Sequence, residues 1–476
     1  MSESSPRKTI PIQPVAADGE LVSLYASSQK IYPRTVQGLF ARWRWLMVAL
    51  TQLVFYGLPW LEWGQRQAVL FDLGTRRFYI FGLVLYPQDF IYLTGLLVIS
   101  ALSLFLFTAV AGRLWCGYAC PQTVYSEIFM WIERQIEGDR SARMRLDQAE
   151  FSMEKLVKKW YKHIIWIGLS IWTGFTFVGY FTPIHDLGMS FFTTHMGSWE
   201  IFWVFFYGLA TYGNAGFMRE QVCKYMCPYA RFQSAMFDHD TLIVTYDQAR
   251  GEPRGARGHG VDPASKGLGD CVACTLCVQV CPTGIDIRDG LQYECIGCGA
   301  CIDVCDSVMG KMNYAPGLIQ YTTQNALNNR WTRSQTWRRV LRPRVLVYSG
   351  MLLALCLALF ISLSVRHTFK VDVIRDRNAL ARLTEDGTIE NVYRFQFMNA
   401  TEQSQRYRVN VQGLDGIRIR DQAEIAVGSA DSRWVVLHAD IPYGSSTAGS
   451  HKIKFVIESQ NDHRVIEEKS VFLVPR

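Results

Sequence analysis

Eight cysteines between Cys271 and Cys305 form the densest chemical pattern in the chain. They run Cys271-x2-Cys274-x2-Cys277-x3-Cys281-Pro282, then Cys295-x2-Cys298-x2-Cys301-x3-Cys305. Cysteines three apart bring three thiolates to one small object, and a cubane iron–sulfur core takes its fourth from farther along. In two-cluster proteins that fourth cysteine serves the other cluster. The spacing predicts two 4Fe-4S clusters. One is held by Cys271, Cys274, Cys277 and Cys305, the other by Cys295, Cys298, Cys301 and Cys281. Zinc ribbons need only two C-x2-C pairs, and a disulfide framework does not explain the x2-x2-x3 run occurring twice. Asp306 stands where the first run has Pro282. That proline shapes a turn and does not ligate, so the ligand set is unaffected.

The chain has 13 cysteines, which leaves five others. Cys356 lies in an apolar stretch and reads as a small packing residue. The other four form a repeat, Cys116-Gly-Tyr118-Ala-Cys120-Pro121 and Cys223-Lys-Tyr225-Met-Cys227-Pro228, each preceded by an arginine, Arg113 or Arg219. Pro121 and Pro228 suit the first turn of a following helix. If the cysteines are helical, their separation puts both sulfurs of a pair on one face. Adjacent thiolates can bind a soft metal ion, cycle through a disulfide, or pack. Spacing does not choose between the first two. No C-x-x-C-H is present, so covalent haem is not expected.

The surrounding elements say where such groups sit. Charged residues are 19% and aromatics 13% of 476 residues, a membrane-like balance. Five apolar stretches, roughly 43–61, 89–110, 163–180, 199–217 and 345–365, are long enough to span. The third is diluted by Thr173, Gly174 and Thr176. The polar first forty residues contain no cleavable signal pattern. Arg7, Lys8, Lys30, Arg34, Arg42 and Arg44 crowd the amino-terminal arm, and nine further Lys or Arg follow the second stretch. The segment 183–198 has neither. The positive-inside rule then places the amino terminus and the cluster segment in the cytoplasm and the carboxyl terminus outside. Arg66, Arg76 and Arg77 violate the rule mildly. A net charge of +7 is met by anionic headgroups and implies no nucleic-acid partner.

Past residue 366 the chain is free of cysteine and alternates with period two. Tyr393, Phe395 and Phe397 alternate with Arg394 and Gln396, and Tyr407, Val409 and Val411 with Arg408 and Asn410. Ile453, Phe455 and Ile457 line a third face, and turns fall at Asp386-Gly387 and Asp415-Gly416. About 110 such residues suit an immunoglobulin-like sandwich acting as a docking module. Residues 250–269 read as a flexible linker, and 330–344 as a basic headgroup contact. His185, Met189, His195 and Met196 are copper-capable side chains on the outer loop, more simply read as structural.

The resulting architecture is a multi-domain membrane protein: an arm over 1–42, a four-span domain over 43–240, a ferredoxin-like α+β domain over 241–344, a fifth span over 345–365 and a β domain over 366–476. With the segment from Phe81-Gly82-Leu83 to Pro87-Gln88-Asp89-Phe90, this combination resembles the FixG/RdxA/CcoG family of cytochrome c oxidase accessory proteins over most of the chain. The resemblance implies reduction of Cu(II) to Cu(I) for the copper site of a cbb-type oxidase. Cys116, Cys120, Cys223 and Cys227 would be its redox and copper residues. Partners would be oxidase subunits or copper chaperones, a cytoplasmic electron donor and the bilayer, with a homodimer allowed. Related membrane ferredoxins share the C-x3-C-P element and serve other periplasmic systems, so an electron conduit or a non-enzymatic assembly scaffold are the rival readings.

Overall fold

The computed structural model of the chain describes residues 30–64, 66–193, 195–376, 381–420 and 424–475. Most of the expected arm, with Arg7, Lys8 and the segment read as lacking a signal, lies outside them.

Two helices are long and apolar enough to cross a membrane, Pro87–Ala111 and Pro343–Val365. Helices also occupy the other three expected spans: Leu39–Gly57, Met153–Val178 and Ser198–Thr211. They fall short of that measure for identifiable reasons. Arg42 and Arg44 interrupt the first, and Lys155, Lys158, Lys159 and Lys162 fill the opening turns of the second. The third has 14 residues and runs into a wide π-helical turn, Tyr212–Met218. All three still expose large apolar side chains, among them Leu50, Leu53, Ile164, Ile167, Phe205 and Leu209.

The two apolar helices pack antiparallel. Tyr92 Oη donates to the Ser362 carbonyl at 3.4 Å. At one end, Arg342 reaches the carbonyl of Ala109 (2.6 Å) and the carboxylate of Asp238 (3.0 Å), beside the start of the cluster segment. Part of the basic run over 330–344 is thus used inside the fold. At the other end, the buried Asp89 carboxylate takes Arg366 at 2.6 Å and also Lys370, and Gln88 binds Asp372 at 2.8 Å. The cysteine-rich domain and the β domain therefore sit at opposite ends of the helix pair.

The β domain has two sheets. One pairs Arg418–Ile419, Ser432–Pro442, Thr388–Asn399 and Phe369–Arg375 in that order, with Arg382–Leu383 beside Thr388–Asn399. The other runs Ile425–Val427, Gln405–Gln412, Gly449–Ser459, Val465–Val474. All the pairs are antiparallel. The expected alternation holds: Tyr393, Phe395, Phe397, Tyr407, Ile453, Phe455 and Ile457 form the core between the sheets. At roughly 25 cal/mol per Å² of apolar surface, burial of such aromatics dominates the stability of this domain. Gly387 and Gly416 adopt the positive φ their turns require.

A three-stranded antiparallel sheet, Val69–Asp72, Arg77–Ile80 and Leu83–Leu85, carries the β domain. Leu70, Tyr79, Val84 and Tyr86 share one apolar cluster with Met398 and Ala430. Arg77 bridges to Asp431 at 2.7 Å, and Arg66 pairs with Glu402. Two of the three arginines that violate the charge rule are thus spent on docking this domain rather than on headgroups.

The expected flexible linker over 250–269 is instead folded onto the cluster segment. Arg250 bridges to Asp270 at 2.6 Å, and the backbone of Gly255 and Gly269 pairs with Cys271 and Pro253. The strands Ile243–Tyr246 and Ile319–Thr322 pair antiparallel and bracket the cysteine-rich segment.

Candidate functional site

The eight clustered cysteines sort into two cavities. Cys271, Cys274, Cys277 and Cys305 line one, with Tyr246 and Arg288. Cys281, Cys295, Cys298 and Cys301 line the other, which Cys277 also touches. Helix Ala300–Met312 explains the exchange, because Cys301 and Cys305 lie on it one turn apart and face different cavities. Asp306, the departure from the first run, accepts from the Gly317 amide at 2.8 Å and fixes the loop that follows this helix.

These sets fit cubane clusters. Among the described residues, no three His, Cys, Asp or Glu side chains close tightly enough to hold a single metal ion. A cubane is wider than one ion and asks for four thiols spread around a cavity, which is the arrangement here. Burial pushes Cys277 up to about 11 and Cys295 and Cys305 to about 12. These three thiols are therefore protonated when metal-free, and their binding expels protons. Arg288 near Cys277, Arg44 near Cys298 and Arg113 near Cys295 each oppose the shift and would balance anionic thiolates.

The two C-x-Y-x-C-P motifs meet. Cys116 lies on the short helix Leu114–Tyr118 and Cys223 in the π-helical turn Val222–Met226. Cys120 and Cys227 are extended N-cap residues of helices Pro121–Glu137 and Pro228–Met236. Both prolines open a helix as expected, but the second cysteine of each pair leaves the helical face and sits before a new N-terminus. Burial pushes the Cys120 thiol up, and the backbone amides of Thr123 and Gln122 at the new helix start oppose that shift. The four thiols are electrostatic neighbours: Cys116 feels Cys120 and Cys227, and Cys223 feels Cys120, Cys116 and Cys227. Desolvation pushes Cys116 up to about 11 and Cys223 up to about 12.

This thiol group abuts the second cluster cavity. A Cβ at Gly117 would meet the Gly297 and Ile296 carbonyls at 2.8 and 2.9 Å, so only glycine allows the approach. Gly297 answers with φ +65, and a Cβ there would lie 3.3 Å from the Arg113 carbonyl group. Tyr118 Oη donates to the Cys298 carbonyl at 3.3 Å, and Lys224 to the Thr283 carbonyl at 3.1 Å. Arg113 is buried and reaches the carbonyls of Tyr293, Cys295 and Ala230. The other motif arginine, Arg219, turns away to Glu133 at 2.9 Å. Sequence reading singled out neither Gly117 nor Gln233, whose Oε1 accepts from the Cys116 thiol at 3.4 Å. Gly117 has a trace, an isolated glycine between two functional residues. Gln233 has none.

The outer-loop residues do not assemble. His185 is exposed beside Glu62, Met189 is exposed, and Met196 packs on the cluster of Phe175, Val178 and Val204. His195 meets the Thr193 carbonyl at 2.5 Å. Cys356 is exposed on its helix rather than packed.

The chain is similar to known proteins. Residues 218–324 match the 4Fe-4S dicluster domain, 93–137 a 4Fe-4S binding domain, and 359–475 the Ig-like fold at the C-terminal of FixG. The nitrogen fixation protein FixG of Rhizobium meliloti is 36% identical over 92% of both chains. RdxA of Cereibacter sphaeroides is 38% identical over 89% of this chain and 92% of its own. RdxB of the same organism is 40% identical over 83% and 84%.

Proposed function

We propose, from the premise that this chain belongs to the FixG/RdxA/RdxB family, that it reduces Cu(II) to Cu(I) at the four-thiol group and retains the product there for assembly of a cbb-type oxidase. The chain is an iron–sulfur redox protein, and the two clusters, when bound, supply single electrons, which one-electron copper reduction requires. The observation that carries the reading is the backbone contact of Gly117 with Ile296–Cys298, which sets Cys116 against the loop bearing one cluster's ligands. Cys271, Cys274, Cys277 and Cys305 would hold the first cluster, and Cys281, Cys295, Cys298 and Cys301 the second. Cys116, Cys120, Cys223 and Cys227 take copper as substrate. Thiolates prefer the softer Cu(I), so the product stays after reduction. Two sulfurs satisfy Cu(I), and the absence of a three-ligand cage among the described residues is compatible with that.

In this reading the helices Leu39–Gly57, Met153–Val178 and Ser198–Thr211 also span the bilayer, packed on the two apolar helices. The cysteine-rich domain faces the cytoplasm, where a reductant is at hand and thiols stay reduced. The β domain faces the periplasm, where it would meet oxidase subunits or a copper chaperone.

The test is Cu(I) affinity as a function of pH. Burial pushes the Cys116 thiol up to about 11 and the Cys223 thiol up to about 12, so at neutral pH each must lose a proton to bind. Raising the pH removes that competitor and tightens binding. Two-thiolate ligation predicts an affinity rising about 100-fold per pH unit below those values. Chelator competition under anoxic conditions measures the slope, and a pH-independent affinity would exclude these thiols as ligands.

A further inference from the structure

Gln233 lies on helix Pro228–Met236, the helix that Cys227 caps, and is fully buried. Its Oε1 accepts from the Cys116 thiol at 3.4 Å, while its Nε2 makes no well-formed hydrogen bond, the Tyr229 hydroxyl being the amide's other polar neighbour. The nearby Arg113 Nε is likewise buried and unpartnered. A leucine would fill the same volume without an orphaned donor, so packing does not explain the amide. The metal-free thiol is a donor and engages the carbonyl oxygen. A metal-bound thiolate is an acceptor only, and turning the amide by half a rotation then presents Nε2–H to the sulfur. The metal-bound thiolate, a stronger acceptor than the thiol sulfur, is the better partner for Nε2–H.

We propose that Gln233 is a positioning residue for the four-thiol site: it donates an N–H···S hydrogen bond to the Cys116 thiolate when a soft metal ion is bound. The inference rests on the copper reading. Hydrogen bonds from an outer partner orient a ligand and lower the charge on its sulfur. The amide thereby favours the thiolate-bound metal over the free thiol.

Two variants and two probes test this. Gln233→Leu removes the donor, and Gln233→Glu keeps the shape but, as the carboxylate, offers only acceptors. Cu(I) affinity of the full-length, cluster-loaded protein is read by chelator competition, and Cd(II) reports the sulfur-to-metal charge-transfer band. Both variants should bind Cu(I) about 10- to 100-fold more weakly, the Glu variant more so. The Cd(II) band should move to lower energy in Gln233→Leu, because the sulfur loses its hydrogen bond. Iron content should match the unsubstituted protein. Unchanged affinity in both variants overturns the inference. So does an affinity loss without a band shift, which marks a merely structural effect. If the unsubstituted protein binds no Cu(I), the copper reading itself fails and takes this inference with it.

Discussion

Replacing Cys116, Cys120, Cys223 and Cys227 together with alanine is expected to abolish Cu(I) retention while leaving the iron content unchanged. Loss of a single outer partner of a metal site costs about 10- to 100-fold, so removing every sulfur should weaken binding by at least ~1000-fold. The four side chains are only partly buried, and alanine leaves small gaps rather than unpaired charges. The cluster cavities use none of these four residues. Cluster absorption and iron should therefore persist, with chelator competition reporting the lost copper. Variants of one pair at a time separate the two ways of sharing an ion. If each motif binds alone, Cys116→Ala/Cys120→Ala halves the stoichiometry. If the motifs share an ion, it abolishes binding.

The second large effect is expected at Cys298. It is buried against Ile296, Ala300 and Val280, next to the motif residue Cys116. Cys298→Ala removes one ligand from the set nearest the thiol group. Iron and acid-labile sulfide should drop to about half, because the first set is separate. Copper reduction should fall on the order of 100-fold or more, since the remaining cluster is the distant one. Cu(I) affinity should stay within about threefold, because no copper thiol is touched. Retained Cu(I) binding also shows that the variant is folded. An assembly scaffold with incidental clusters would keep whatever copper activity it has in this variant. An electron path through Cys298's set would not.

The cysteine pattern stood out because cubane ligation fixes both count and spacing. Three thiols in one turn and a fourth exchanged with the neighbouring run leave few alternatives, and the structure gathers the eight residues around two cavities, with Cys277 touching both. The β domain was legible for a similar reason, since Tyr393, Phe395 and Phe397 can alternate only on a half-buried strand. The spans were less so. Basic residues in Leu39–Gly57 and Met153–Val178, and the π-helical break after Thr211, make helices whose apolar faces are partial. What local pattern could not give was contact across the chain. Arg66 and Arg77 read as misplaced charges until Glu402 and Asp431 arrive from more than 330 residues away. The segment over 250–269 looked like a linker because its ordering comes from Asp270 and the Cys271 carbonyl rather than from its own composition. Gly117 and Gln233 acquire meaning only once two distant motifs have been folded together.

The central claim is that electrons held at Cys271–Cys305 reach copper held at the four-thiol group. Rapid mixing of the anaerobically reduced, full-length protein with one equivalent of Cu(II) tests it most directly. The expected result is one Cu(I) formed and kept by the protein for each electron lost from the cluster absorption. Clusters that stay reduced in the presence of bound copper, or Cu(I) that appears at the same rate in Cys298→Ala, would contradict it.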